Sequence, residues 1–114
     1  MNKESNLYFG RLFKRFRLKS EFETLSQLGD FMAAQGFSYE DSIYSRWEHG
    51  NRIPKDRNVL ITLIKLFVKR EGIGSLHEAN LFLEYAGHGY LTDRETQSLP
   101  DKIKKISPFL APRN

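Results

Sequence analysis

Thirteen residues, Ser42 to Pro54, carry the side chains best suited to meeting a polar surface. Ile43 and Trp47 stand four apart, so they share one side of a helix. Ser42, Ser45, Arg46 and His49 fall on the other side. Gly50 occupies a place where a helix end needs a residue tolerant of positive φ, and Pro54 keeps the helix from resuming at once. Asn51, Arg52, Lys55 and Arg57 then supply hydrogen-bond donors, three of them charged. A short helix with a bare polar face, followed by a basic loop, suits insertion into a groove of duplex DNA. The helix would meet base edges and the loop would sit on phosphate.

Other chemistries find less support. His77-Glu78 is followed by Ala79-Asn80-Leu81, so the two-histidine zinc protease motif is absent. His49, His77 and His88 are too scattered for a metal site, and no metal or cofactor is expected. Gly87-His88-Gly89 is too short for a phosphate loop and reads as a helix-ending turn. No Ser/His/Asp set stands out, and an enzyme is not expected.

The side chains must be held by a small helical body. The 114 residues are 39% hydrophobic and 28% charged, as in an ordinary globular domain with a modest core. No apolar run reaches the roughly 20 residues that span a bilayer. The start, Met1 to Asn6, leads into a basic amphipathic helix without a signal peptide. The absence of cysteine fits a reducing compartment, so a cytoplasmic location is expected. Residues 1–70 hold 13 Lys/Arg against 8 Asp/Glu, whereas residues 71–114 hold 5 against 6. The positive excess therefore travels with the candidate helix and its neighbours, and a basic patch attracts polyanions.

Periodicity predicts an all-α chain. A first helix over 7–19 has Phe9, Leu12, Phe13 and Phe16 as its apolar stripe, and Arg11, Lys14, Arg15, Arg17 and Lys19 over the remainder. Thr24 with Gln27 forms a capping box for a second helix, which Gly36 ends. Ala33 and Ala34 there are small enough for close packing against the next helix. Ser38, with Asp41 three residues on, is expected to cap a third helix over 39–49. A fourth helix, from Asp56 or Arg57 to Arg70, has Val59, Leu60, Leu63, Ile64, Phe67 and Val68 as a wide core stripe and Gly72 as its stop. Ser75 with Glu78 and Thr92 with Glu95 are capping boxes for a fifth and a short sixth helix. Pro108 and Pro112 argue against a long helix in the last segment.

The order Ser45-Arg46-Trp47-Glu48, Gly50, Arg52, Pro54 resembles the recognition helix and following loop of the lambda-repressor/Cro-like (XRE-type) helix-turn-helix family. The likeness runs from the Phe9 to Leu18 helix to about Gly72, somewhat over half the chain. The turn around Gly36 to Tyr39 is longer than in the simplest members, a departure that blurs the base-contacting positions. The resemblance implies a helical bundle of about five helices with a short C-terminal extension. It places Asp41, Ser42, Ser45 and Arg46 at base edges, with Arg46 the best match to guanine. It places Gln27 on phosphate, and His49, Asn51, Arg52, Lys55 and Arg57 suit the same role. Trp47 is expected in the core, and Tyr44 stands where the family usually has an aliphatic core residue. Glu48 is expected to accept a bond from Arg52 or a backbone amide. The bland alternatives are an intramolecular ion pair for Arg46, the capping box for Gln27 and a solvated loop for the basic residues.

The expected organisation is a DNA-binding domain over residues 1–86 and an extension over residues 87–114 that serves dimerisation or a partner. Phe109 and Leu110 are the expected anchors of the tail. The function expected is a sequence-specific transcriptional regulator, a repressor by steric occupancy, binding double-stranded DNA as a homodimer with half-sites about one helical turn apart. The sequence names no small-molecule effector. The alternative is a protein-interaction module, an antitoxin or adaptor on the same scaffold, whose third helix meets protein instead of DNA.

Overall fold

Among the described residues of the computed structural model six helices follow one another: α1 (Lys3–Lys19), α2 (Leu25–Ala34), α3 (Asp41–Glu48), α4 (Arg57–Lys69), α5 (Leu76–Tyr85) and α6 (Asp93–Gln97). The structure describes residues 3–101 and residue 103, and among these there is no strand. Phe109 and Leu110 lie outside the described residues. No helix among the described residues is long and apolar enough to cross a membrane.

The apolar stripes meet in one core. Phe9, Phe13 and Phe16 of α1 are buried with Leu28 and Met32 of α2, Tyr44 and Trp47 of α3, Leu60, Leu63, Ile64 and Phe67 of α4, and Phe82 and Leu83 of α5. Aromatic rings dominate the centre, with Phe9 stacked on Phe82 at 4.8 Å and Phe13 edge-on to Trp47 at 6.0 Å. Such offset and edge contacts add to the area each ring buries. The core does not close at Ala86. Leu99 and Ile103, beyond α6, are buried in the same cluster.

Helix limits follow local chemistry, with instructive exceptions. The Thr24–Gln27 and Thr92–Glu95 capping boxes are both complete. At α5 the Ser75 hydroxyl accepts from the Glu78 amide, but the Glu78 carboxylate accepts from Gly74 N–H, so this box is one-sided. Ser38 does not cap α3. Glu40 is the residue before the helix, its side chain makes no capping bond, and α3 starts at Asp41. α1 begins four residues earlier than its apolar period, at Lys3. At the end of α4, Glu71 takes the left-handed backbone, φ 68°. Gly72 is required for another reason: a Cβ there would strike Phe16 O and the Ser20 hydroxyl.

A close backbone approach positions α3. At Gly10 of α1 a Cβ would stand 2.8 Å from Trp47 O and would overlap Glu48 O. The last turn of α3 therefore rests on the bare backbone of α1. Ala33 and Ala34 are exposed and do not form the α2–α3 contact. Gly29 does, with the Tyr44 ring 3.5 Å from where its Cβ would be.

Gly10→Ala must separate α1 from α3, and overpacking of this kind costs about 2 kcal/mol or more. Gly36→Ala faces open space at φ +97° and should lose only the left-handed backbone penalty, about 1 kcal/mol. Urea denaturation of the two variants should show the larger loss at Gly10. The reverse order would remove Gly10 as the seat of α3.

Candidate nucleic-acid interface

α3 has eight residues, too few to hold a helix in water alone. Its inner side is fixed by Tyr44 and Trp47, both buried, with Ile43 half-buried beside them. Tyr44 thus does as a ring what an aliphatic residue was expected to do. Burial pushes its phenol up to about 12, helped by nearby Tyr39 and Asp41, so it stays neutral. The outer side carries Asp41, Ser42 and Arg46, all exposed, and half-buried Ser45. Their spacing brings the four base-reading candidates onto one face. Among the described residues Arg46 makes no ion pair, so the alternative of an internal carboxylate partner is not found there.

The end of α3 is built by backbone geometry. Gly50 takes φ +75°, Gly50 N–H donates to Trp47 O and Asn51 N–H donates to Arg46 O. This pair of bonds is the Schellman arrangement, and it satisfies carbonyls that the helix leaves open. The His49 ring is folded back onto the helix, with Nδ1 2.8 Å from Ser45 O and 3.4 Å from the Ser45 hydroxyl. Donation from Nδ1 to that carbonyl leaves Nε2 as the ring atom for an outside partner. Beyond Gly50 the loop packs through buried Pro54 and half-buried Ile53, which line a cleft of about 270 Å³ against Ile43 and Trp47. Asn51, Arg52 and Lys55 remain exposed on it. Gln27 is exposed at the start of α2, where its side-chain oxygen accepts from Thr24 N–H in the capping box. A larger cavity, about 620 Å³ between Phe31, Leu66, Arg70 and Leu99, is lined by none of these residues.

Two arginines serve the fold. Arg57, expected on phosphate, is half-buried and makes four hydrogen bonds inside the fold. Its guanidinium grips Glu95 at 2.9 and 2.8 Å and donates to the carbonyls of Gly89 and Tyr90, both at 3.0 Å. This clamp fixes the α5–α6 connection to the start of α4, and Arg57 is not available to phosphate while it holds. Arg17, counted with the surface cations of α1, is buried. Its Nε donates to Glu48 at 2.6 Å and its Nη1 to Phe22 O at 2.7 Å. Glu48 is structural as expected, but its partner is Arg17 and not Arg52. The signal was present in the spacing, because Arg17 stands seven residues after Gly10 and four after Phe13, inside the inward stripe.

The charge at the exposed face is mixed. Arg46, Arg52 and Lys55 supply three cations, whereas Glu40 and Asp41 are both exposed at the first turn of α3. Carboxylates there favour the helix dipole, and they oppose phosphate. Among the described residues no cluster of His, Cys, Asp or Glu could hold a metal ion.

Glu48→Ala and Arg17→Ala should each cost about 3 kcal/mol, since each strands a buried charge. The double variant should lose clearly less than the sum. Additive losses in denaturant titrations would show that the two side chains act separately. The Arg57 guanidinium holds the Glu95 carboxyl down to about 2, from an ordinary 4.5. Its stabilisation is complete above the unfolded value and is lost as pH falls from there through the folded value. The stability gap between the wild type and Arg57→Ala, about 1–3 kcal/mol near neutral pH, should therefore narrow by pH 3. A gap independent of pH would assign Arg57's contribution to its two carbonyl bonds alone.

No family model matches the chain, and searches of curated proteins and of solved structures found no match either.

Proposed function

We propose that this chain is a sequence-specific DNA-binding regulator of the lambda-repressor/Cro-like kind that inserts α3 into the major groove. The observation that carries this reading is α3 itself. Its inner side is locked by Tyr44, Trp47 and the Arg17–Glu48 pair, while Ser42 and Arg46 are left outward, Arg46 with no ion pair among the described residues. A rigidly seated helix with a polar outer face is what base readout needs, because side chains must meet base edges in fixed register. Arg46 is the residue for guanine, whose two major-groove acceptors match a guanidinium fork. Ser42 and Ser45 add weaker discrimination, and Asp41 would accept from cytosine. Arg52, Lys55 and Asn51 set the loop on phosphate, joined by Gln27 at the start of α2; with Nδ1–H given to Ser45 O, His49 joins them only as the imidazolium, whose Nε2–H is then a donor. Binding as a homodimer to a palindrome, and repression by occupancy, complete this reading.

One observation favours a second reading. Glu40 and Asp41 would face the phosphates that flank a major groove. An adaptor whose α3 meets a basic protein surface would use the same two carboxylates favourably. The two readings part on salt and on sequence.

Selection from a random duplex pool at two salt concentrations should enrich a palindrome. Arg46→Ala should relax preference at one position of each half-site, at a cost of about 1–3 kcal/mol. Arg52→Ala should weaken all sequences alike and reduce the salt slope by about 0.9. Absence of binding at low salt would overturn the DNA reading and leave the adaptor.

A further inference from the structure

The outward face of α1 is as unusual as that of α3 and has no part in the DNA reading. Leu7, Arg11, Lys14 and Leu18 follow one another at spacings of four, three and four, and all are exposed. Leu7 and Leu18 are 45% and 46% open, high values for leucines on a helix whose other side is core. Arg15 and Lys19 flank this line and are exposed as well. Tyr8, 46% exposed, is braced against Tyr85 at 5.5 Å, and Arg11 lies over its ring at 5.6 Å. The four cations make no ion pair among the described residues, and the carboxylates nearest in sequence, Glu4 and Glu21, stand beyond both ends of the line.

Spacing of four and three is that of a seam along which a second helix packs at a shallow angle. From Leu7 to Leu18 the seam runs about three turns, roughly 16 Å. Its ends are apolar and its middle is cationic. A second copy of this chain does not fit, because either direction of pairing sets Arg11 and Lys14 against cations. Phosphate would use the cations and leave the leucines idle. A membrane-surface helix buries a broad apolar face with cations at its borders, whereas here the cations occupy the centre.

We propose that α1 docks an amphipathic helix of a partner protein, with apolar residues over Leu7 and Leu18 and carboxylates opposite Arg11 and Lys14. The opposite side of α1, through Phe9, Phe13 and Phe16, is fixed in the core, so the seam is presented without rearrangement. Preorganisation of this kind lowers the cost of binding. The seam shares no residue with the outer face of α3, although Leu7 lies against Gly50 at the end of that helix, and its test does not depend on DNA binding.

The probe is a side-chain-stapled helix of fifteen residues with Leu, Glu, Glu and Leu at the same spacing. Its control carries Lys in place of both Glu. Fluorescence anisotropy with the full chain at physiological salt should give saturable binding of the acidic helix and none of the basic one. Arg11→Glu combined with Lys14→Glu, which alters only exposed side chains, should weaken the acidic helix at least tenfold and should gain the basic helix. Arg46→Ala with Arg52→Ala should leave both results unchanged. The proposal falls if neither helix binds, if both bind alike, or if the charge reversal has no effect. It also falls if the reversal abolishes binding only to random duplex DNA or to phosphatidylglycerol vesicles, which would assign the seam to phosphate.

Discussion

Everything that α3 can do depends on the contact between its last turn and α1. Eight residues cannot sustain a helix by backbone hydrogen bonds, and a helix that must keep one side polar cannot gain stability all round. Its orientation comes from one buried side and one buried end. Tyr44 and Trp47 supply the side, set among Phe13 and Tyr39. Gly10 supplies the end by letting Trp47 O and Glu48 O approach where a methyl group would block them. Arg17 then closes the junction with a hydrogen bond that is short, charged and shielded from water. A buried ion pair is not in itself strong evidence of stability, since hydrophobic replacements often do as well. Directionality is what it adds here. The planar guanidinium reaches Glu48 on one helix and Phe22 O in the turn after α1, so three segments share one fixed reference.

The same economy governs the second arginine clamp. Arg57 stands at the first position of α4, directly after a basic loop, and its neighbours in sequence suggest a surface role. The fold turns it inward onto Glu95 and two carbonyls of the α5–α6 connection. Beside that bond network, the connection is held by Leu91 N–H donating to Asn80 Oδ1, by the Tyr90 hydroxyl donating to Glu84, and by burial of Leu99 and Ile103. The clamp also neutralises a cation that would otherwise add to the loop. Seven of the exposed cations gather in two places, Arg46, Arg52 and Lys55 around α3 and Arg11, Lys14, Arg15 and Lys19 along α1, while Lys65, Lys69 and Arg94 are exposed elsewhere.

Local rules were legible and long-range ones were not. Both complete capping boxes, the Gly50 stop and the core stripe of α4 were readable, because each depends on residues within one or two turns. Trp47 in the core followed from helical spacing. The Ser38 cap failed because Tyr39 packs against Tyr44 and Trp47, and the extended residue before the helix is Glu40, so that α3 starts at Asp41. The end of α4 misled for a related reason. Gly72 looked like a helix stop, yet the left-handed residue is Glu71, and the glycine answers to a neighbour 52 positions away, Ser20. Arg17 and Arg57 were misread alike: a lone cation carries no local mark of its partner, and Glu48 and Glu95 stand 31 and 38 residues distant. Of the candidate site, the four α3 residues share one face, while the Arg57 guanidinium is held in an internal clamp.

The two outward faces differ in the physics that would make them selective. On α3 the exposed groups are short or forked, Ser42, Ser45 and Arg46, and each makes directional hydrogen bonds. Selectivity there would come from matching donors and acceptors at fixed positions, which requires the rigid seat that Gly10 and Arg17 provide. On α1 the exposed groups are long cations around two leucines, and their heads can move several ångströms while their stems cover apolar surface. Selectivity there would come from the sign of charge and from the distance between two apolar ends, both tolerant of small displacements. The fold accordingly places a tightly constrained contact beneath α3 and leaves α1 to be defined by its own length. Seventeen continuous residues keep Leu7 and Leu18 in register without help from any other element.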